Sequence, residues 1–163
     1  MARSLTTAQT GAHFAVVHLG AFADLQQYHF EVEAQPLVME GKVFLKDVLQ
    51  LTGAEVSFNT LPPKKSLLFY HKHHLNEEIY LFLAGVGECQ VDGEIFPVAQ
   101  GSVVRVAPEG ERCLRNCSAT EELQWIVVQA RAHSFSDRTI QDGYASPKRV
   151  RWLRREATPA SGL

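Results

Sequence analysis

The sequence predicts an all-β domain built from antiparallel strands, and three observations point to it. Between Glu55 and Ala130 turn signals recur at Pro62-Pro63, Asn76, Gly85–Gly87, Asp92-Gly93, Gly101, Pro108–Gly110 and Ser118–Thr120. Most are spaced at about the 8–12 residues expected of a sandwich or barrel. Ile79–Leu83 and Trp125–Val128 are nearly continuous apolar runs, as strands covered on both faces would be. Finally, Gln90-Val91-Asp92-Gly93-Glu94-Ile95 carries Asp-Gly at its centre, which supplies the positive φ angles a two-residue type I′ hairpin demands.

The elements follow in order. Residues 1–12 are polar and small and are expected to be disordered. From His13 to residue 54 only short apolar pieces occur, at Phe14–Leu19, Val43–Leu45 and Val48–Leu51, with no sustained helical period. This stretch is expected to be a β extension packed on the main domain, whose core spans residues 55–130. Residues 131–163 form a C-terminal extension. A short helix is expected within 137–155, where Ser146-Pro147 is a suitable helix start.

At 163 residues the chain suits one domain with a full core. Its 45% hydrophobic and 21% charged residues exclude a wholly disordered chain. No apolar run approaches the ~20 residues of a membrane-spanning helix, and residues 1–20 hold no continuous apolar block of a secretory signal. Three cysteines, an odd number, fit a reducing, cytoplasmic setting better than a disulfide scaffold. The net charge of −2 is unevenly placed. Lys148, Arg149, Arg151, Arg154 and Arg155 form a basic segment, and the other eleven basic residues face eighteen acidic ones. Such a segment can touch nucleic acid. The preferred reading is that it packs Val150, Trp152 and Leu153 on its own domain or on a second copy, because short basic runs are an unspecific signal.

The chemically informative stretch is Phe69-Tyr70-His71-Lys72-His73-His74-Leu75-Asn76-Glu77-Glu78-Ile79-Tyr80. On an extended strand His71 and His73 lie two apart and share a face. Glu78 opens the next apolar run after a short connection. If the two segments adjoin, two imidazoles and one carboxylate form a facial triad that suits one divalent ion: Fe, Mn, Ni or Zn. Tyr80 and Phe82 share the face of Glu78. Tyr80 is thereby placed in a pocket above such an ion, and Phe82 in the core. His74 has the opposite parity and is expected to point outward.

These residues resemble the first motif of the cupin family: His71, His73, Glu78 and Gly85, with four residues before Glu78 and six after it. The second motif is matched more loosely by Gly101, Pro108, Gly110 and Asn116. The Asp92-Gly93 hairpin falls between the two motifs, where cupins usually place one. The resemblance implies a small antiparallel β-barrel or jelly roll with a metal held in its interior, and it implies a homodimer. Two departures stand out. Lys64-Lys65 replaces the opening glycine of the first motif, and the histidine of the second motif is missing. Its slot holds Cys113 counted forward from Pro108, or Arg112 counted back from Asn116. An inward Cys113 would offer a fourth, thiolate ligand and favour zinc. An inward Arg112 would repel a cation but clamp an anionic ligand.

Three functions are consistent with this pattern. One is a mononuclear-metal enzyme (dioxygenase, isomerase or decarboxylase) acting on a small organic or anionic molecule, with no catalytic residue yet assigned. A second is a non-catalytic cupin that binds a small ligand through residues such as Tyr80, Arg112 and Asn116. The third, a nucleic-acid partner for the basic segment, is the weakest.

Overall fold

The computed structural model describes residues 5–31, 38–136 and 141–152. Seven strands make the main domain: β6 (Glu55–Leu61), β7 (Asn76–Ala84), β8 (Val86–Val91), β9 (Glu94–Ala99), β10 (Val103–Val106), β11 (Arg112–Asn116) and β12 (Leu123–Arg131). Before them come β1 (Gln9–Gly11), β2 (Phe14–Val16), a 3-10 helix (Phe22–Gln27), β3 (His29–Glu31), β4 (Val38–Glu40), β5 (Lys42–Phe44) and the single-turn α1 (Lys46–Leu49). The five-stranded sheet runs β10-β7-β12-β6-β5 and the three-stranded sheet runs β11-β8-β9, with every neighbouring pair antiparallel. β1 with β2, and β3 with β4, form separate two-stranded ribbons.

The two larger sheets face one another and do not close into a continuous hydrogen-bonded barrel. The architecture is therefore the two-sheet, jelly-roll form. Between them lie Leu61, Tyr80, Phe82, Cys89, Val98, Val106, Leu114, Leu123, Trp125 and Val127. Strand alternation explains the choice. Leu123, Trp125 and Val127 take the inner face of β12, and Tyr80 and Phe82 that of β7, where Phe82 stacks on Trp125 at 6.4 Å between ring centroids. The outer face of β7 is less covered than its apolar run suggested, for Ile79 and Leu83 are each 36% exposed.

β6 divides its side chains between two cores. Ser57, Asn59 and Leu61 are buried on the inner side. Val56 and Phe58 pack outward on a second apolar cluster built from Leu25, Tyr28, Val43 and Leu45. That cluster is how the N-terminal segments dock, and it carries β5 onto the free edge of β6.

The Asp92-Gly93 hairpin joins β8 to β9 with φ angles of 48° and 89°, both positive as a type I′ turn requires. Gly85 links β7 to β8 at φ 81°, where an added Cβ would lie 2.2 Å from the Glu122 carbonyl oxygen. Only glycine fits there. Residues 9–11 form β1 rather than an irregular end. Residues 141–152 contain turns and no helix, while residues 137–140 and 153–155 of the expected C-terminal helix lie outside the described residues. The basic residues Arg154 and Arg155 lie outside them as well. Val150 and Trp152 are 78% and 92% exposed, so among the described residues that segment is not packed on the domain. No helix of the described residues is long and apolar enough to cross a membrane.

Candidate metal centre

The histidine segment is extended, but it pairs with β11 and not with β7. His71 N–H donates to the Arg112 carbonyl at 3.2 Å, Arg112 N–H returns a bond to the His71 carbonyl at 3.1 Å, and His73 N–H donates to the Pro108 carbonyl at 2.9 Å. This pairing turns His71 and His73 to one side, their rings 5.5 Å apart and nearly perpendicular. Glu78 arrives from β7, in the opposing sheet. His73 Nε2 lies 3.2 Å from Glu78 Oε1, and His71 Nε2 lies 3.6 Å from Glu78 Oε2.

One ligand atom from each of His71, His73 and Glu78 falls within 4.8 Å of the others. Ligand atoms held about 2.0–2.2 Å from a single ion are separated by comparable distances, so the donor set fits a divalent transition metal. His71 Nδ1 is buried without a hydrogen-bond partner among the described residues. The Gln129 side-chain amide sits 3.0 Å from the His73 ring nitrogens.

Arg112 resolves the ambiguity in the second motif. On β11 the buried positions are Arg112, Leu114 and Asn116, so Arg112 faces inward and is 1% exposed. Its Nε and Nη2 both donate to Glu78 Oε2, at 3.0 and 2.8 Å, and Nη1 donates to the Gly110 carbonyl at 2.8 Å. The Tyr80 hydroxyl donates to the same Oε2 at 2.5 Å. One carboxylate oxygen thus takes three donors while the other faces His73.

Cys113 is not in this group. It alternates to the other side of β11, half-buried, with Sγ 3.6 Å from the Leu67 carbonyl oxygen, and burial raises its thiol pKa. The structure therefore brings no thiolate to the triad. All three cysteines are free. Asn116 is buried, but its amide is committed to the fold. Nδ2 donates to the carbonyls of Leu61 and Glu121, and Oδ1 accepts from Ser118 N–H. That arrangement ties three chain segments together and leaves little for a ligand.

The electrostatics follow from the contacts. Burial alone would raise the Glu78 carboxyl, but hydrogen bonds from His71 and Tyr80, with the Arg112 guanidinium, hold it well below the usual carboxylate range. Burial, then the Glu78 charge, push the Tyr80 phenol far above its ordinary value, so it remains a donor. Burial lowers His73, opposed by Glu78, which favours the neutral ring that can bind a metal.

The cluster lies at one end of a cavity of about 690 Å³ between the sheets. Its walls include four residues that the sequence pattern did not single out: Lys42, Asn59, Trp125 and Gln129. Trp125 and Gln129 share the parity of Val127 on β12, and alternation could have found them. Lys42 carried no local signal, because it enters the cavity only through the pairing of β5 with β6.

Against known proteins, the profile of the cupin domain matches residues 58–129. A cupin protein from Bacteroides fragilis is similar over 72% of this chain and 97% of its own, at 34% identity and a TM-score of 0.61. A conserved barrel domain protein from Salinispora arenicola is 25% identical over 56% of this chain and 75% of its own, with a TM-score of 0.50. A protein from Acidithiobacillus ferrooxidans assigned as a sugar phosphate isomerase is 26% identical over 63% of this chain and 66% of its own, with a TM-score of 0.53. A search of curated protein sequences finds no significant match.

Proposed function

This chain belongs to the cupin family, and we propose that it holds one divalent metal ion on His71, His73 and Glu78 and takes a small anionic organic molecule into the cavity beside it. The observation that carries this reading is the meeting of three ligand atoms within 4.8 Å at the end of a cavity large enough for a small metabolite. A divalent ion there would polarise a ligand oxygen as a Lewis acid. The chain's own residues do the rest. Arg112 and Tyr80 hold Glu78 Oε2 and keep the carboxylate ionised. Gln129 Nε2 lies against the His73 ring, 3.0 Å from its nitrogens. Phe44, Trp125 and Val127 present carbon surface to the ligand.

Elemental analysis of the purified protein tests this reading. About one metal ion per chain is expected in the wild type, and little in His71→Ala or Glu78→Ala. Equal metal content in all three would end it.

A second reading, a ligand-binding cupin without turnover, is favoured by one observation. Arg112 stands in the slot where the family pattern has a histidine, and it is paired with Glu78. A fixed positive charge beside the carboxylate weakens its hold on a cation. Incubation with a panel of small acids and sugar phosphates separates the two readings. Turnover yields product, whereas simple binding raises Tm by mass action alone. The three free cysteines support a reducing, cytoplasmic setting. Pairing of two copies is part of the proposal, and sedimentation of the full chain checks it.

A further inference from the structure

The wall opposite the triad is built by the N-terminal segments, outside the residues that match the domain profile. Register places Lys42 beside Asn59, Asn59 beside Trp125, and Trp125 beside Phe82, all on the inner face. The next row contains Phe44, Ser57, Val127 and Tyr80, and the row after it pairs Gln129 with Glu78. Lys42 therefore enters the same cavity two rows away from the triad.

The Lys42 charge is uncompensated. Among the described residues it makes no ion pair, and its recorded contact is the Phe44 ring, 4.8 Å from Nζ to the ring centroid. The acids that influence it most are Glu78 and Glu55, and both are committed elsewhere. Glu78 is held by Arg112 and Tyr80. Glu55 Oε1 accepts from the backbone N–H groups of Leu45, Lys46 and Val56. Burial consequently lowers the Lys42 pKa despite both carboxylates. Beside it, Gln26 Nε2 is buried without a hydrogen-bond partner. It lines the same cavity and lies against Gly41, the residue before Lys42.

Gln26 Nε2, buried without an acceptor, and the half-buried ammonium of Lys42, which makes no ion pair, share one wall and describe a shape for a partner, because buried donors are normally paired. Arg112 and Glu78 cancel, and among the other charged residues of the wall Lys42, Lys65 and Lys72 outnumber Glu40, so the cavity is positive and a divalent ion would only make it more so. We propose that Lys42, assisted by Gln26, receives an anionic oxygen group of the ligand, a carboxylate or a phosphate, at the end of the cavity away from His71, His73 and Glu78. Val127 and the Phe44 ring lie in the row between the two ends, so the ligand carries its anion on a carbon body. The inference rests on the cavity being a ligand site, as proposed above, but not on the metal.

The test uses the full chain at low salt, with malonate and glucose 6-phosphate as probes and glucose as the neutral control. Thermal shift and calorimetric titration should show binding of at least one anion and none of glucose. Which anion binds distinguishes carboxylate from phosphate. Lys42→Met should weaken that binding about tenfold or more, the usual loss for a charge-assisted hydrogen bond. Lys42→Arg should largely keep it, and Lys46→Met, altering an exposed neighbour outside the cavity, should leave it unchanged. Metal content should be equal in wild type and Lys42→Met, and the loss should persist after chelator treatment. A failed metal reading and a failed anion reading are thereby told apart. No anion binding by the wild type, or equal binding by Lys42→Met, would overturn the inference.

Discussion

The two ends of the cavity are held together in opposite ways. At the triad end Glu78, Arg112 and Tyr80 satisfy one another and the Gly110 carbonyl through short hydrogen bonds, with Glu78 only 6% exposed. At the other end Lys42 and Gln26 offer donors that nothing in the described structure accepts. The first end is a network whose charges stabilise the fold by pairing, so breaking it removes structure as well as chemistry. The second costs stability and is retained beside a cavity, which is the usual signature of a site kept for a ligand. The same substitution strategy, removing one charge, should therefore have opposite effects at the two ends.

Glu78→Gln should have the largest effect. It leaves the Arg112 guanidinium buried without its counter-charge, a loss of about 3–5 kcal/mol, and urea unfolding at pH 7 measures it. The pH dependence has a definite sign. Because the native Glu78 pKa is depressed, its contribution is complete above the ordinary value of 4.5 and is lost as pH falls through the lower native value. The stability gap between wild type and Glu78→Gln should be flat near neutrality and close in acid.

Arg112→Met should cost somewhat less, about 2–3 kcal/mol, since Glu78 keeps its histidine and tyrosine neighbours. It should also raise affinity for a divalent ion about tenfold. Added Zn(II) or Mn(II) should restore the Tm of this variant more than it raises that of wild type.

Asn116→Ala comes next, at about 1–3 kcal/mol for the carbonyls of Leu61 and Glu121 left without their donor. Metal content and anion binding should be unchanged. A loss of ligand binding with little loss of stability would return Asn116 to the site.

The smallest effect is a gain. Lys42→Met should raise Tm by a few degrees at neutral pH, because it removes an unpaired, half-buried charge. With a lowered native pKa, the penalty is full below that value and fades as pH rises toward the ordinary 10.5. The advantage of Lys42→Met should narrow in alkaline buffer, as differential scanning calorimetry across pH would show.

Much of this was legible along the chain because the signals were local. The Asp92-Gly93 turn and the apolar runs of β7 and β12 depend on neighbours a few residues away. The two-residue spacing of His71 and His73 needed only an extended backbone, which their pairing with β11 supplies. Which strand pairs with them was left open by the sequence, and β7 meets the histidines from the opposing sheet. The second motif was ambiguous between Arg112 and Cys113. One residue of register reverses every side chain on a strand, and only the ladder of β11 with β8 decides it.

By itself, then, the order of residues determined an antiparallel β domain, its tightest hairpin and three candidate ligands, all products of short-range turn chemistry and strand alternation. Tertiary structure alone decided that Arg112 neutralises Glu78, that Cys113 and Asn116 lie apart from the triad, and that Lys42 reaches the same cavity from the N-terminal segment. Those outcomes depend on which strands meet across the sheets, and contacts between distant segments leave no period in the sequence to read.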